Sequence, residues 1–209
     1  RTLHDRPTLV ESMDLITGLA IICLLIVAVA FSPLGLGGGI LYVPIMHYML
    51  DWEIKEALVA SLTLVLMVSL GSSLAHSKSG FADLRIANWG RMAAVPSAII
   101  GTLLSGLLLS LVGDAGIKIL AALVITFVLE RTIRKSVAHT VEFTEEQLLE
   151  KRNQYLAGSS SAGIAAGILG IGGGAILVTL NRSMLKMDAK KAAGTSYLVT
   201  ATIVPVALL

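Results

Sequence analysis

The sequence predicts an all-α polytopic membrane protein made of two inverted-topology repeats, each with a glycine-tipped re-entrant helix hairpin, the second repeat truncated. Three observations predict it. Of the 209 residues 55% are hydrophobic and 14% charged, against roughly 25% charged in an ordinary soluble domain. The charged side chains leave six charge-free runs, 15–50, 57–77, 92–113, 119–129, 153–181 and 192–209, several as long as the about 20 residues that cross hydrocarbon. The cluster Gly35-Leu36-Gly37-Gly38-Gly39 returns as Gly170-Ile171-Gly172-Gly173-Gly174, 135 positions later.

Other classes fall away on the same grounds. A transmembrane β-barrel needs alternating segments of about ten residues, and runs such as 62–70 show no alternation. The net charge is only +2, and no basic stripe with interleaved aromatics suggests nucleic acid as a partner. Cys23 stands alone in an apolar run, so it has no internal disulfide partner and reads as a small apolar filler.

The elements follow in order. Leu15–Phe31 is too long for a signal-peptide core and leads into Pro33 and glycines rather than a small-residue cleavage site, which makes it a retained helix. After the glycine cluster come a short apolar segment, Ile40–Leu50, a charged loop, and a longer helix, Ala57–Ala75. A helical hairpin, Met92–Val112 and Ile117–Leu129, turned by Gly113-Asp114-Ala115-Gly116, completes the first repeat, residues 1–130. Residues 131–155 form a cytoplasmic linker. Within it Thr144-Glu145-Glu146-Gln147 fits a capping box ahead of Leu148 and Leu149, so a short amphipathic helix is expected there. The second repeat, residues 156–209, replays the pattern as Leu156–Leu169, the second glycine cluster, Ala175–Leu185, a charged loop and a helix from Ala192 onward. The chain begins at Arg1 and stops at Leu209 inside a charge-free run. A fragment is therefore expected, lacking the second repeat's counterpart of the hairpin.

Two features support the repeat beyond its glycines. At the same offset Val43 falls on Val178, Met49 on Met184, Leu50 on Leu185, Lys55 on Lys190, Ala57 on Ala192 and Ser61 on Ser196. Chance recurrence of glycine does not explain that register. The short segments then carry a physical argument: eleven helical residues reach about 16 Å, half the hydrocarbon thickness. They are expected to be return arms of re-entrant hairpins, whose open backbone is tolerated only inside protein or beside a wet cavity.

Charge sets the orientation. Of the 16 Lys and Arg residues, 12 lie in 78–91, 131–152 and 182–191, the segments assigned to the cytoplasm. The loop after the first short arm carries Asp51, Glu53, Lys55 and Glu56, whereas its counterpart carries Lys186, Asp188, Lys190 and Lys191. Loops of opposite bias belong on opposite sides, which is the mark of inverted repeats with a substrate site near the midplane.

The candidate binding residues are the glycines Gly35, Gly37, Gly38, Gly39, Gly170, Gly172, Gly173 and Gly174. Residues without Cβ permit tight turns, and the free N–H groups at a following helix N-terminus attract an anion without a buried ionised side chain. Ser61, Thr195 and Ser196 are candidate donors to substrate oxygens. Ser61 and Ser196 rank first because they occupy the same place in each repeat. Elsewhere in the long helices, Ser and Thr commonly bond the carbonyl one turn back. His76 is a candidate proton relay. Asn181, followed by Arg182, is a candidate anion relay toward the cytoplasmic mouth. The run Gly170-Ile171-Gly172-Gly173-Gly174-Ala175 also fits a dinucleotide fingerprint formally, but that fingerprint needs a soluble βαβ unit, whereas this copy sits in an apolar membrane run and its twin at Gly35 has Ile40 in the last place. No metal-ligand spacing, intramembrane carboxylate pair or nucleophile with a base is legible, so an enzyme is not expected.

These residues resemble a known family. The run Gly-Leu-Gly-Gly-Gly-Ile-Leu-Tyr-Val-Pro at 35–44, its second copy at 170–179, and Ala-Gly-Thr-Ser-Tyr at 193–197 look like the TauE/SafE sulfite exporter family, as do His76, Gly80 and the helix carrying Gly101 and Gly106. The second copy departs from the first at Thr179, which stands where the first has Pro44. The resemblance implies a cofactor-free integral protein of the bacterial inner membrane. It implies a small anionic substrate such as sulfite, a sulfonate or a related organic anion. A secondary transporter working by alternating access, with a proton or sodium ion as candidate coupling ion, is the reading; an anion channel and a non-transporting scaffold are its rivals.

Overall fold

The computed structural model describes residues 9–135 and 143–209, and among them every regular element is a helix. The order is α1 (Leu9–Phe31), α2 (Gly39–Met49), α3 (Ile54–Lys78), α4 (Leu84–Lys135), α5 (Glu145–Leu169), α6 (Gly174–Ser183) and α7 (Ala189–Ala207). Ile54–Lys78 and Leu84–Leu108 are long and apolar enough to cross a membrane, and Leu15–Phe31 is a shorter apolar helix. Exposure agrees with a lipid-facing surface: α1 turns Leu15, Ile22, Ile26 and Val29 outward, all more than half exposed. Water would make such a stripe costly, whereas hydrocarbon does not.

Two elements differ from the sequence expectation. The helix α4 leaves helical geometry at Gly113 alone (φ 62°, ψ −174°) instead of over a four-residue turn. Leu108 before this point and Leu120 and Val124 after it pack on one apolar cluster, so the chain doubles back there. Gly113 makes this possible because only glycine enters that region cheaply. The capping box at Thr144 is present, with Gln147 Oε1 accepting from the Thr144 N–H at 3.1 Å. The helix it starts is not short, however. It runs 25 residues without a break into the apolar stretch, since no proline interrupts it and its glycines face neighbours. Gly163 lies against the Ala94 carbonyl, and Gly101 of α4 against Ile164. Small residues let α4 and α5 approach closely, as membrane helix pairs do. Linker residues 136–142 and the first eight residues lie outside the described residues.

Residues 135 apart share backbone geometry. Asp51 and Lys186, the described non-glycine residues with positive φ, have φ of 55° and 54°. Each lies two residues before a helix N-cap, Glu53 and Asp188. Trp52 N donates to Met46 O and Met187 N to Asn181 O. The helices α3 and α7 nevertheless run antiparallel: His76, near the end of α3, meets Gly194 near the start of α7, while Val65 and Val204 share one cluster.

The contacts also sort the polar segments by end. Arg85 pairs with Glu145 at 3.0 Å and Lys191 approaches Asp83 at 4.0 Å, which gathers the α3–α4 loop and the starts of α4, α5 and α7 together. The α2–α3 loop lies at the other end of α3, about 36 Å away at 1.5 Å per residue. There the Lys118 ammonium sits 5.5 Å over the Tyr48 ring.

Candidate functional site

The two glycine turns interrupt the chain between α1 and α2 and between α5 and α6. Gly35, Gly37 and Gly38 have φ of 76°, 69° and 80°, and Gly170, Gly172 and Gly173 have φ of 63°, 72° and 72°. Gly39 and Gly174 are the first helical residues beyond them. All eight are buried. The turns touch each other: a Cβ on Gly39 would lie 2.6 Å from the Ile171 carbonyl oxygen, and one on Gly174 would lie 3.1 Å from that of Gly35. The broken backbone of both turns is thus kept inside protein.

The hydroxyls expected to meet substrate hold these turns. Ser61 Oγ donates to Gly170 O at 2.9 Å, with Gly39 O at 3.4 Å as a second acceptor, so it ties both turns together. Ser196 Oγ donates to Gly174 O at 3.0 Å. Both serines are fully buried. Thr195 lies elsewhere, its Oγ1 accepting from the Asp83 N–H at 3.0 Å in the α3–α4 loop. Asn181 is also fully buried, and its Nδ2 donates to Ala192 O at 3.0 Å, linking α6 to α7.

His76 borders an open cavity of about 350 Å³ that mixes Ser32, Ser72, Ser79 and Lys190 with Pro33, Ala75 and Phe81. The cavity begins where α1 ends, because Pro33 cannot supply the N–H that a continuing helix needs. Ser32 Oγ and Ser72 Oγ are hydrogen-bonded at 2.7 Å. Behind them Tyr197 Oη donates to Ser32 O at 2.7 Å and accepts from the Gly37 N–H at 3.3 Å. The Tyr197 ring also stacks on His76, 6.0 Å between centroids. Lys190 stands 5.3 Å over the Phe81 ring. Among the described residues, no acidic one lines the cavity. Hydroxyl donors, an imidazole and an ammonium around one opening make an environment for an anion rather than a cation.

The sequence names His76 as a candidate relay but does not single out Ser32, Ser72, Lys190 or Tyr197 as its neighbours. The available signals were local. Ser32-Pro33 stands directly before the first glycine turn, and Lys190 repeats Lys55 at the 135-residue offset.

The family model for the sulfite exporter TauE/SafE matches residues 20–209. No curated protein and no solved structure matches the chain. The family match runs from within α1 to the end of the chain and takes in both glycine turns and the cavity beside the first. The chain therefore belongs to the TauE/SafE sulfite exporter family of membrane transport proteins.

Proposed function

We propose that the protein is a secondary transporter that moves a small anion, sulfite, a sulfonate or a related organic anion, by alternating access. In this reading it is a multi-pass protein of the bacterial inner membrane, with residues 1–130 and 156–209 as inverted repeats on either side of the 131–155 connector. The antiparallel α3 and α7, the backbone angles shared at an offset of 135, and the separation of the acidic and basic loops to opposite ends of α3 support it.

One observation carries the reading: a cavity lined by Lys190, His76 and three serines lies beside the first glycine turn, linked to it through Ser32 and Tyr197. An anion entering there meets Lys190 first, then the Ser32 and Ser72 hydroxyls, with the Gly37 amide behind Tyr197. The contact between the two glycine turns closes the path beyond. Rocking of one repeat against the other, about the Ser61 bridge, would transfer the opening to the opposite side. His76 is the candidate proton carrier, and a proton or sodium ion is the candidate driving ion.

The test is uptake by proteoliposomes under an imposed pH gradient, with labelled sulfite, short sulfonates and carboxylates. Saturable, uphill accumulation of one of them is expected. Lys190→Gln is expected to raise KM several-fold from the basic-loop side. Flux that never saturates and runs only downhill would favour a channel. No flux of any of these anions would overturn the transport reading.

A further inference from the structure

A second cavity, about 180 Å³, lies at the opposite end of α3 from the first. Ile40, Val43 and His47 of α2, Leu58 of α3, Lys118 of the second arm of α4 and Ile171 of the second glycine turn are among its walls. The two cavities share a plan. Each is lined by one lysine and one histidine, and among the described residues neither is lined by an acid; the second also has Ile171 of a glycine cluster in its wall. Each lysine stands over an aromatic ring, Lys118 over Tyr48 at 5.5 Å and Lys190 over Phe81 at 5.3 Å. Neither ammonium has an ion pair among the described residues.

The cavities differ in their walls. Serines line the first, whereas aliphatic side chains dominate the second. His47 Nδ1 lies 2.8 Å from Trp52 O. A carbonyl only accepts, so Nδ1 carries a proton there and Nε2 is left for another partner. A bare oxyanion would lose its hydration on this surface with a single ammonium in return. An anion with a short hydrocarbon body meets both features, its head on Lys118 and its body on Ile40, Val43, Leu58 and Ile171.

We propose that this cavity is a second anion site, at the outer end of the transport path, selective for small organic anions carrying a hydrocarbon body. The site rests on the transport reading for its role but not for its binding. Equilibrium binding of labelled methanesulfonate, ethanesulfonate and propanesulfonate to the purified protein tests it. Two molecules per chain are expected, with affinity at one site rising about fourfold per added CH₂. Lys118→Gln should abolish that site, and Lys118→Arg should keep it. One molecule per chain, with binding unchanged in Lys118→Gln, would overturn the proposal, and so would affinity that does not grow with chain length. Repeating the binding with phosphatidylglycerol and with phosphatidylcholine present separates the remaining source of an anionic head on a hydrocarbon body. Competition by phosphatidylglycerol alone would make the occupant a lipid and overturn the proposal. Two-site binding without uptake would instead sink the transport reading and leave this site standing.

Discussion

Replacing Gly39 by alanine probes the close contact between the two glycine turns. The new methyl would lie 2.6 Å from the Ile171 carbonyl oxygen and 2.8 Å from a Val65 methyl. The valine can turn, but a backbone carbonyl held in the opposing glycine turn has little room to retreat. Forcing one carbon into a packed interior costs about 1–3 kcal/mol. Gly39 has helical backbone angles, so alanine there also gains up to about 1 kcal/mol of helix propensity, which offsets only part of the clash. The comparison is Gly71→Ala in α3, where nothing lies within 4 Å and only the propensity gain remains. For a chain of this size 1 kcal/mol moves Tm by about 2–4 °C. Gly39→Ala is therefore expected to melt several degrees below the native protein in detergent, and Gly71→Ala slightly above it. Uptake should fall in the first and persist in the second. A Gly39→Ala protein as stable as Gly71→Ala would refute the tight apposition of the two turns.

Three further predictions rest on other contacts. Ser61→Ala removes the buried donor to Gly170 O and is expected to lose about 1–3 kcal/mol, seen as a lower Tm; a change below 0.5 kcal/mol, within about a tenth of the protein's stability, would contradict the bridge. Thr144→Ala breaks the capping box and should cost about 1 kcal/mol locally. Amide exchange over residues 145–150 should then quicken about fivefold, with Thr144→Ser restoring most of the protection. Cysteines placed at Glu53 and Asp188, the two N-caps 135 residues apart, are expected to react with an impermeant maleimide from opposite faces of intact membranes. Reaction from one face would rule out inversion.

Much of this architecture is legible without coordinates because lipid leaves few options. An apolar run without charges must be a helix, since only a helix satisfies its own backbone there. The glycine clusters mark where the helices break for a similar reason: consecutive left-handed residues require them. The length of α5 was not legible, because its charged first half and apolar second half read as two elements. Continuity came from a backbone with no proline to stop it and a partner helix, α4, to pack against.

The site divides in the same way. Sequence alone determined where the chain breaks, which serines recur in register and which loops carry the cations, since these follow from spacing and composition. Tertiary structure decided what those serines do. Ser61 and Ser196 point their single protons at glycine carbonyls: Ser61 at Gly170 O, just past the end of α5, where the helix supplies no further donor, and Ser196 at Gly174 O, at the start of α6. It also decided that Ser32, Ser72, His76 and Lys190 line one opening, with Tyr197 behind them on Ser32 and His76. Residues up to 165 positions apart meet there only because α7 runs back along α3, and no local pattern in the chain encodes that pairing.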